Sequence, residues 1–297
     1  MLMCIDGSGP DDDGEYASAF RHSFIHQMVQ QTTQARREYY RGPNGAGLHQ
    51  VDLSELARES RELHEADVAA GGTPKVFLAG YSRGAAGVVH VAYILATWGI
   101  QVDGMFLFDA VDRSILIADT LAPGMNVDTV PENVLAVYHA RRDPAAESRE
   151  SFSNTATRAA RPAAYRERFF LTTHGGIGGT PWGASGLRTR DRLLYESPDA
   201  DRAARLRVGH GARIVEPFVD GTDGADEALT AWLVGGELSD GATTLTMAQE
   251  ETGAQATIDW MWDKMIRLGA VREGSTPYLM TRARTALEGI SPATLGR

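Results

Sequence analysis

One serine lies between two glycines, with a single residue on each side, in the segment Gly80-Tyr81-Ser82-Arg83-Gly84. This spacing fits the G-x-S-x-G pattern of a nucleophile elbow, a tight strand-to-helix turn that exposes a serine hydroxyl. Glycine is needed at both flanks because a Cβ atom there would press on the neighbouring strand or helix while the serine takes a positive φ. The pattern predicts that Ser82 is a nucleophile; the alternative is a small-residue turn that carries an incidental serine.

The residues around Ser82 favour the first interpretation. Residues 76–79 are apolar, as in a strand that is covered on both faces, and Pro74 precedes them. A long apolar segment with small residues follows Ser82 and runs without a turn signal to Trp98-Gly99. We therefore predict a buried strand, a tight turn and a helix.

A candidate acid and a candidate base follow in the chain. Asp109 ends the apolar strand predicted over 104–108, and His174 follows another strand predicted from Arg168. A carboxylate at the end of a buried strand is costly unless it is hydrogen-bonded, so Asp109 either orients a histidine or caps the next turn. The order Ser82, Asp109, His174 is that of the α/β hydrolases. His210 is the main rival for the base, although no comparably strong strand precedes it.

The N-terminal segment is predicted to deliver polar groups to the same edge of the sheet. Residues 2–5 form a short apolar run that ends in Asp6-Gly7-Ser8. The carboxyl ends of strands in open α/β sheets bind ligands. We expect the Arg83 amide and a second amide, from Gly7 or Ser8, to form an oxyanion hole, and Asp6 to hold their loop in place. Two further residues are expected to support the site: Tyr81 and Gly176.

The alternation of segments predicts the fold class. Strand and helix patterns alternate through the first half of the chain, with helices expected over about 15–40 and 52–70 and a further strand over 133–139. This rhythm is typical of a parallel sheet with crossover helices. We predict an α/β-hydrolase-like fold with a mostly parallel central sheet and helices on both faces. His139, a lone histidine on a strand, is interpreted as structural.

The second half divides into an irregular and a helical part. Residues 1–182 are predicted to form the core, and residues 183–250, which lack the strand–helix rhythm, a lid or insertion. Residues 251–297 are predicted to form two helices, over 256–269 and 277–287, that pack on the core. The aromatic and methionine face of the first of these is expected to be core rather than a membrane anchor.

Composition limits the partners and the compartment. The 297-residue chain carries a formal net charge of −10, which disfavours general binding to nucleic acid or to an anionic membrane. Its single cysteine, Cys4, excludes an internal disulfide. No Sec-type signal and no apolar run of membrane-spanning length is recognised in the sequence. We expect a cytoplasmic protein, or one exported without a Sec signal, whose contact with membranes is at most local and transient.

Several motifs together resemble the DUF2235 α/β hydrolases, a family that includes the catalytic domain of type VI secretion phospholipase effectors of the Tle1 group. The resemblance spans most of the chain and rests on six segments: Cys4-Ile-Asp-Gly-Ser8, Tyr39-Tyr-Arg-Gly42, Gly80-Tyr-Ser-Arg-Gly-Ala85, Leu107-Phe-Asp-Ala-Val111, His174-Gly-Gly-Ile-Gly-Gly179 and Asp259-Trp-Met-Trp262. Family members carry an acidic residue two positions after the histidine, where this chain has Gly176. The gap between the histidine and the tryptophan helix is also longer here.

These observations together predict a serine hydrolase. The expected substrate is a carboxylic ester, lipid-like or phospholipid-like by the resemblance, and a Ser-His-Asp mechanism needs neither a metal nor an organic cofactor. A thioesterase or a peptidase would use the same three residues. A catalytically silent binding or toxin-scaffold module is the alternative from another class.

Overall fold

A parallel sheet of six described strands forms the centre of the protein. The computed structural model describes residues 1–9, 12–43, 53–111, 127–146, 148, 154–179, 213–215 and 242–279. The strands of these residues are β1 (Leu2–Ile5), β2 (Arg37–Tyr40), β3 (Phe77–Tyr81), β4 (Gly104–Phe108), β5 (Thr129–Val130), β6 (Val137–Arg142), β7 (Arg158–Ala159), β8 (Tyr165–Phe170), β9 (Arg213–Val215) and β10 (Ala242–Thr246). The central sheet has the order β2-β1-β3-β4-β6-β8, and every pair in it is parallel.

Helices connect and cover these strands. They are α1 (Asp13–Phe20), α2 (Phe24–Gln31), α3 (Leu53–Ala69), α4 (Arg83–Thr97), α5 (His174–Gly178) and α6 (Met247–Leu268). Side-chain caps begin three of them: Asp12 accepts from the Glu15 amide at α1, Ser23 from the His26 amide at α2, and Thr173 from the Gly176 amide at α5. Each cap satisfies an amide that has no acceptor within its own helix.

The sheet is covered on both faces, as the sequence predicts. Successive residues of a strand point to opposite faces, so Met3 and Ile5 pack in one hydrophobic cluster while Leu2 and Cys4 pack in the other. Helices α3 and α4 contribute to the first cluster, and α2 and α6 to the second. The parallel sheet between two helical layers confirms the predicted α/β class.

The region around residues 15–40 differs from its prediction. A single helix was expected there, but the structure has α1, α2 and then the edge strand β2, which pairs in parallel with β1. Ser23 separates the two helices because its hydroxyl caps α2. The strand escapes recognition because two of its four residues, Arg37 and Glu38, are charged and exposed, and its apolar and polar positions do not alternate.

Most of the predicted lid, residues 183–250, lies outside the described residues, and so does the rival base His210. Within the lid, only β9, β10 and the first residues of α6 are described. Strands β9 and β10 pair with each other in antiparallel orientation. Residues 277–279, where a last helix was predicted to begin, are not helical, and the remainder of that prediction falls outside the described residues. In α6, Met261, Trp262 and Met265 are buried core residues. Among the described helices, none has both the length and the hydrophobicity needed to cross a membrane.

Candidate active site

The turn between β3 and α4 has the geometry of a nucleophile elbow. Ser82 has φ 56° and ψ −128°, a conformation that residues with side chains rarely adopt. Its amide donates to the Phe108 carbonyl (3.0 Å) and its carbonyl accepts from the Val111 amide (3.2 Å), so the end of β4 holds the turn. A strained conformation of this kind persists only where its surroundings enforce it.

The flanking glycines are required by close backbone contacts. A Cβ atom on Gly80 would lie 2.6 Å from the Ala85 amide nitrogen, at the start of α4. A Cβ atom on Gly84 would overlap the backbone carbonyl groups of Ile5 and Asp6. The helix therefore approaches both its own strand and the neighbouring strand β1 so closely that only hydrogen atoms fit between them.

Ser82, His174 and Asp109 form one hydrogen-bonded chain. The distance from Ser82 Oγ to His174 Nε2 is 2.9 Å, and that from His174 Nδ1 to Asp109 Oδ2 is 2.7 Å. Because a carboxylate only accepts, the histidine carries its proton on Nδ1 and offers the Nε2 lone pair to the serine hydroxyl. All three residues are buried: Ser82 is 5% exposed, His174 is 7% exposed and Asp109 is not exposed. The arrangement is able to transfer the serine proton to the imidazole.

Parallel strands explain how residues so distant in sequence meet. Ser82 follows β3, and Asp109 follows the adjacent strand β4. His174 begins α5, shortly after β8. All three lie at the carboxyl edge of the sheet, which is the edge where open α/β sheets place their ligands.

Asp109 has partners that the sequence did not reveal. The Arg142 guanidinium forms an ion pair with Asp109 Oδ2, and Asn154 Nδ2 donates to Oδ1 at 2.7 Å. Burial alone would raise the pKa of Asp109, but the charge of Arg142 and the hydrogen bonds from His174 and Asn154 hold that pKa well below its usual range. The aspartate stays ionised. Arg142 lies three residues beyond the strand predicted over 133–139, and no pattern in the sequence links it to Asp109.

His139 supports the Asp109 turn, as its structural interpretation predicted. Its Nε2 atom accepts from the Ala110 amide at 3.1 Å, and its Nδ1 atom lies 2.9 Å from the Tyr165 hydroxyl. Complete burial lowers the pKa of His139 to about 3, so the ring is neutral at physiological pH. Since Asp109 has φ 47°, this contact helps to hold a second residue in the left-handed region beside the elbow.

The loop after β1, residues 6–8, lies against the elbow and is called the Asp6 loop below. The Gly7 amide donates to Asp6 Oδ1 at 2.9 Å, and the Gly7 carbonyl accepts from the Tyr16 hydroxyl at 2.7 Å. A Cβ atom on Gly7 would lie 3.3 Å from Ser82 Cβ, which shows how close this loop comes to the predicted nucleophile. Of the two amides predicted to assist the Arg83 amide, that of Gly7 is thus already engaged by Asp6.

Asp6 itself is completely buried. Its Oδ2 atom accepts from the Ser23 hydroxyl and, at 3.0 Å, from the Tyr39 hydroxyl. Burial raises the pKa of Asp6 to about 7, although its hydrogen bonds to Ser23, Gly7 and Tyr39 act in the opposite direction. The carboxyl group links the Asp6 loop to α2 and to β2, the strand that sequence analysis missed.

The other predicted site residues lie within this assembly. Arg83 Nε donates to Ser8 Oγ at 2.6 Å, which joins the elbow to the Asp6 loop. The Tyr81 hydroxyl donates to the His174 carbonyl at 3.0 Å, and the two rings lie 5.1 Å apart. Gly176 lies in α5, where a Cβ atom would overlap Thr172 Oγ1 and the carboxylate of Glu250. The described residues contain no group of three or more His, Cys, Asp or Glu side chains arranged to hold a metal ion.

The sheet, the elbow and the placement of Asp109 and His174 at its carboxyl edge define an α/β-hydrolase-like fold. No protein-family model matches the sequence, and no curated protein matches it. Solved structures that resemble the chain distantly include the RedJ thioesterase from the prodiginine biosynthetic pathway of Streptomyces coelicolor. That match is 15% identical, covers 69% of this chain and 85% of that chain, and has a TM-score of 0.33. Lipase B of Aspergillus fumigatus is 11% identical and covers 95% of this chain and 66% of that chain, with a TM-score of 0.37. The match to the type II thioesterase BorB from the borrelidin biosynthetic cluster is 12% identical, covers 65% of this chain and 88% of that chain, and has a TM-score of 0.30.

Proposed function

We propose that the protein is a serine hydrolase of carboxylic esters, in which Ser82 is the nucleophile, His174 the general base and Asp109 the orienting acid. The observation that carries this proposal is the chain from Ser82 Oγ through the His174 ring to Asp109 Oδ2, with contacts of 2.9 and 2.7 Å. The positive φ of Ser82 adds support, since a strained elbow presents the hydroxyl away from the sheet.

Both halves of the proposed reaction use these contacts. Ser82 Oγ attacks the acyl carbonyl carbon while His174 Nε2 takes its proton, and the ionised Asp109 stabilises the imidazolium that forms. His174 then gives the proton to the leaving alcohol as the carbon–oxygen bond of the ester breaks. The product is an acyl-enzyme on Ser82. In the second half, a water molecule attacks the acyl carbon while His174 Nε2 takes its proton. The bond between the acyl carbon and Ser82 Oγ then breaks, the proton passes from His174 to Oγ, and the carboxylic acid is released.

The negative oxygen of the tetrahedral intermediate is assigned to two backbone amides. The Arg83 amide lies in the first turn of α4, where N–H groups have no acceptor within the helix and the helix dipole favours negative charge. The Ser8 amide is the second donor, because the Gly7 amide donates to Asp6. Among the described residues, the Ser8 amide has no acceptor of its own.

The proposed substrate is a lipid-like ester, and this finer choice rests on the resemblance to the DUF2235 hydrolases. The test is hydrolysis of a panel of p-nitrophenyl esters with short and long acyl chains, phospholipids, acyl thioesters and peptides, with Ser82→Ala as the control. Labelling of Ser82 by a fluorophosphonate probe reports a reactive serine independently of the substrate. If thioesters or peptides are the preferred substrates, the proposed substrate class is wrong. If the probe does not label Ser82 and the protein hydrolyses no substrate, a catalytically silent scaffold is favoured.

A further inference from the structure

A buried glutamate contacts the two residues that immediately precede His174. Glu250 lies in the first turn of α6, and its side chain is completely buried. Its Oε2 atom accepts from the Thr173 amide at 2.6 Å and from the Thr172 hydroxyl at 2.9 Å. Its Oε1 atom accepts from the Thr173 hydroxyl at 2.6 Å. The carboxylate therefore binds one short segment through three hydrogen bonds.

These hydrogen bonds continue into the helix that begins with His174. The Thr173 hydroxyl donates its proton to Glu250, so its oxygen is oriented to accept from the Gly176 amide at 3.0 Å. Thr173 is the N-cap of α5, and His174 is the first residue of that helix. A cap residue fixes where a helix begins and how its first turn is oriented. Glu250 thus acts on the backbone that sets the direction of the imidazole.

Close packing shows that this contact is specific. A Cβ atom on Gly176 would overlap the Glu250 carboxylate, and one on Gly253 would overlap the Leu171 carbonyl. Glycine at both positions lets α6 approach the His174 segment. A buried carboxylate is costly, and an apolar side chain of similar volume would fill the same space more cheaply. Packing alone does not account for an acidic residue here.

We infer that Glu250 is a positioning residue for the imidazole of His174, acting through Thr172 and Thr173 without touching the substrate. Two further contacts hold the His174 backbone: its amide donates to Ser148 Oγ at 2.8 Å, and its carbonyl accepts from the Tyr81 hydroxyl. Glu250 restrains the backbone that precedes His174. The backbone that carries the imidazole is therefore held on both sides of the residue. A base misplaced by about 1 Å costs up to roughly 100-fold in rate.

The test compares Glu250→Gln with Glu251→Gln, the same change one residue further along the helix. It rests on the proposed function, so rates are divided by the number of sites that a fluorophosphonate probe labels. We expect Glu250→Gln to lower kcat per labelled site about 10- to 100-fold with little change in KM, and Glu251→Gln to leave kcat unchanged. Thr173→Val is expected to match Glu250→Gln, whereas Thr173→Ser retains most of the activity. A purely structural Glu250 would lower the melting temperature and leave kcat per labelled site unchanged, which would overturn the inference.

A second readout needs no substrate. We expect the proton shared by His174 Nδ1 and Asp109 to give a far-downfield resonance in a proton NMR spectrum, with a position that reports the geometry of that hydrogen bond. We expect Glu250→Gln to shift or broaden this resonance and Glu251→Gln to leave it in place. If the wild-type protein hydrolyses nothing on the panel, the proposed function fails while the resonance still decides the role of Glu250. An unchanged resonance in folded Glu250→Gln would then count against that role.

Discussion

Arg142 forms a buried ion pair with Asp109, and it contacts the same carboxylate oxygen that accepts from the His174 ring. The Arg142 side chain is 7% exposed and that of Asp109 is not exposed at all. The Arg142 amide also donates to the other oxygen of Asp109 at 3.3 Å. One arginine therefore compensates the burial of the carboxylate through both its charge and its backbone.

This pair predicts a large loss of stability in Arg142→Gln. Removing one partner of a buried ion pair leaves the other charge uncompensated and costs about 3–5 kcal/mol in the free energy of unfolding. Urea unfolding monitored by circular dichroism measures the difference. Arg58→Gln is the matched control, because Arg58 pairs with Glu55 and Glu62 on the surface of α3, where solvent screens the charges. Equal losses in the two variants would contradict the prediction.

The proposed roles of Ser82, His174 and Asp109 predict unequal losses of ester hydrolysis. Ser82→Ala and His174→Ala remove the nucleophile and the base, and each is expected to lower kcat on the order of 10⁶-fold. Asp109→Asn keeps a hydrogen-bonding group at the same place, so about one to two powers of ten more activity should remain. Initial rates on the best p-nitrophenyl ester measure all three.

His210 provides the contrast for that experiment. The sequence analysis gives His210 as the alternative candidate for the base. If His174 is the base, the His210→Ala variant should keep the wild-type activity. An active His174→Ala together with an inactive His210→Ala would reverse the assignment. Normal turnover by Ser82→Ala would remove the nucleophile from the proposal altogether.

The close approach of α4 to β1 predicts opposite outcomes for two glycines of the same helix. In Gly84→Ala the new Cβ meets backbone carbonyl groups of Ile5 and Asp6, which cannot turn aside, so we expect a loss of about 1–3 kcal/mol or more and lower activity. In Gly87→Ala the Cβ meets the ends of the Ile5 and Leu53 side chains at 3.2 and 3.3 Å. These ends can shift, and alanine favours a helix by up to about 1 kcal/mol over glycine.

Thermal unfolding and ester hydrolysis of both variants test this difference. We expect Gly87→Ala to unfold within about 1 kcal/mol of the wild type and to keep its rate. A stable, active Gly84→Ala variant would show that α4 does not need the short contact to β1.

The elements that position the elbow were predictable because their signals are local. Glycine spacing, an apolar strand before Ser82 and an aspartate at the end of the next strand are all read over a few residues, and parallel strands bring their carboxyl ends together. The order of Ser82, Asp109 and His174 along the chain then follows the known hydrolase order. The fold class could be predicted for the same reason.

The supporting contacts were not predictable because they join distant segments. Glu250 and Thr173 are 77 residues apart, and neither has a neighbour in sequence that indicates the other. Arg142 reads as a surface charge at a strand end, since its partner Asp109 is 33 residues away. Strand β2 lacks a hydrophobic pattern, because an edge strand is held by its backbone pairing to β1 rather than by burial. Such contacts depend on the packed fold, which a sequence pattern does not encode.

The buried carboxyl group of Asp6 predicts a pH-dependent stability. Burial raises its pKa from 3.8 to about 7 in the folded protein. Between these two values the folded protein keeps a proton on Asp6 that the unfolded chain has released. The free energy of unfolding therefore falls as the pH rises through this window, by up to about 1.4 kcal/mol per pH unit from this group. The stabilisation by the bound proton is complete below the unfolded pKa and lost above the folded pKa.

Asp6→Asn tests this dependence, because the amide resembles the protonated acid in shape and does not titrate. We expect the wild type to lose stability relative to Asp6→Asn as the pH rises from about 5 to about 8, in urea unfolding at several pH values. Asp259→Asn, which changes an exposed aspartate of α6, is the matched control and should follow the wild type. If the difference between wild type and Asp6→Asn stays constant over this range while both proteins remain folded, Asp6 does not titrate there, and the Asp6 loop is held by an ionised carboxylate at every pH tested.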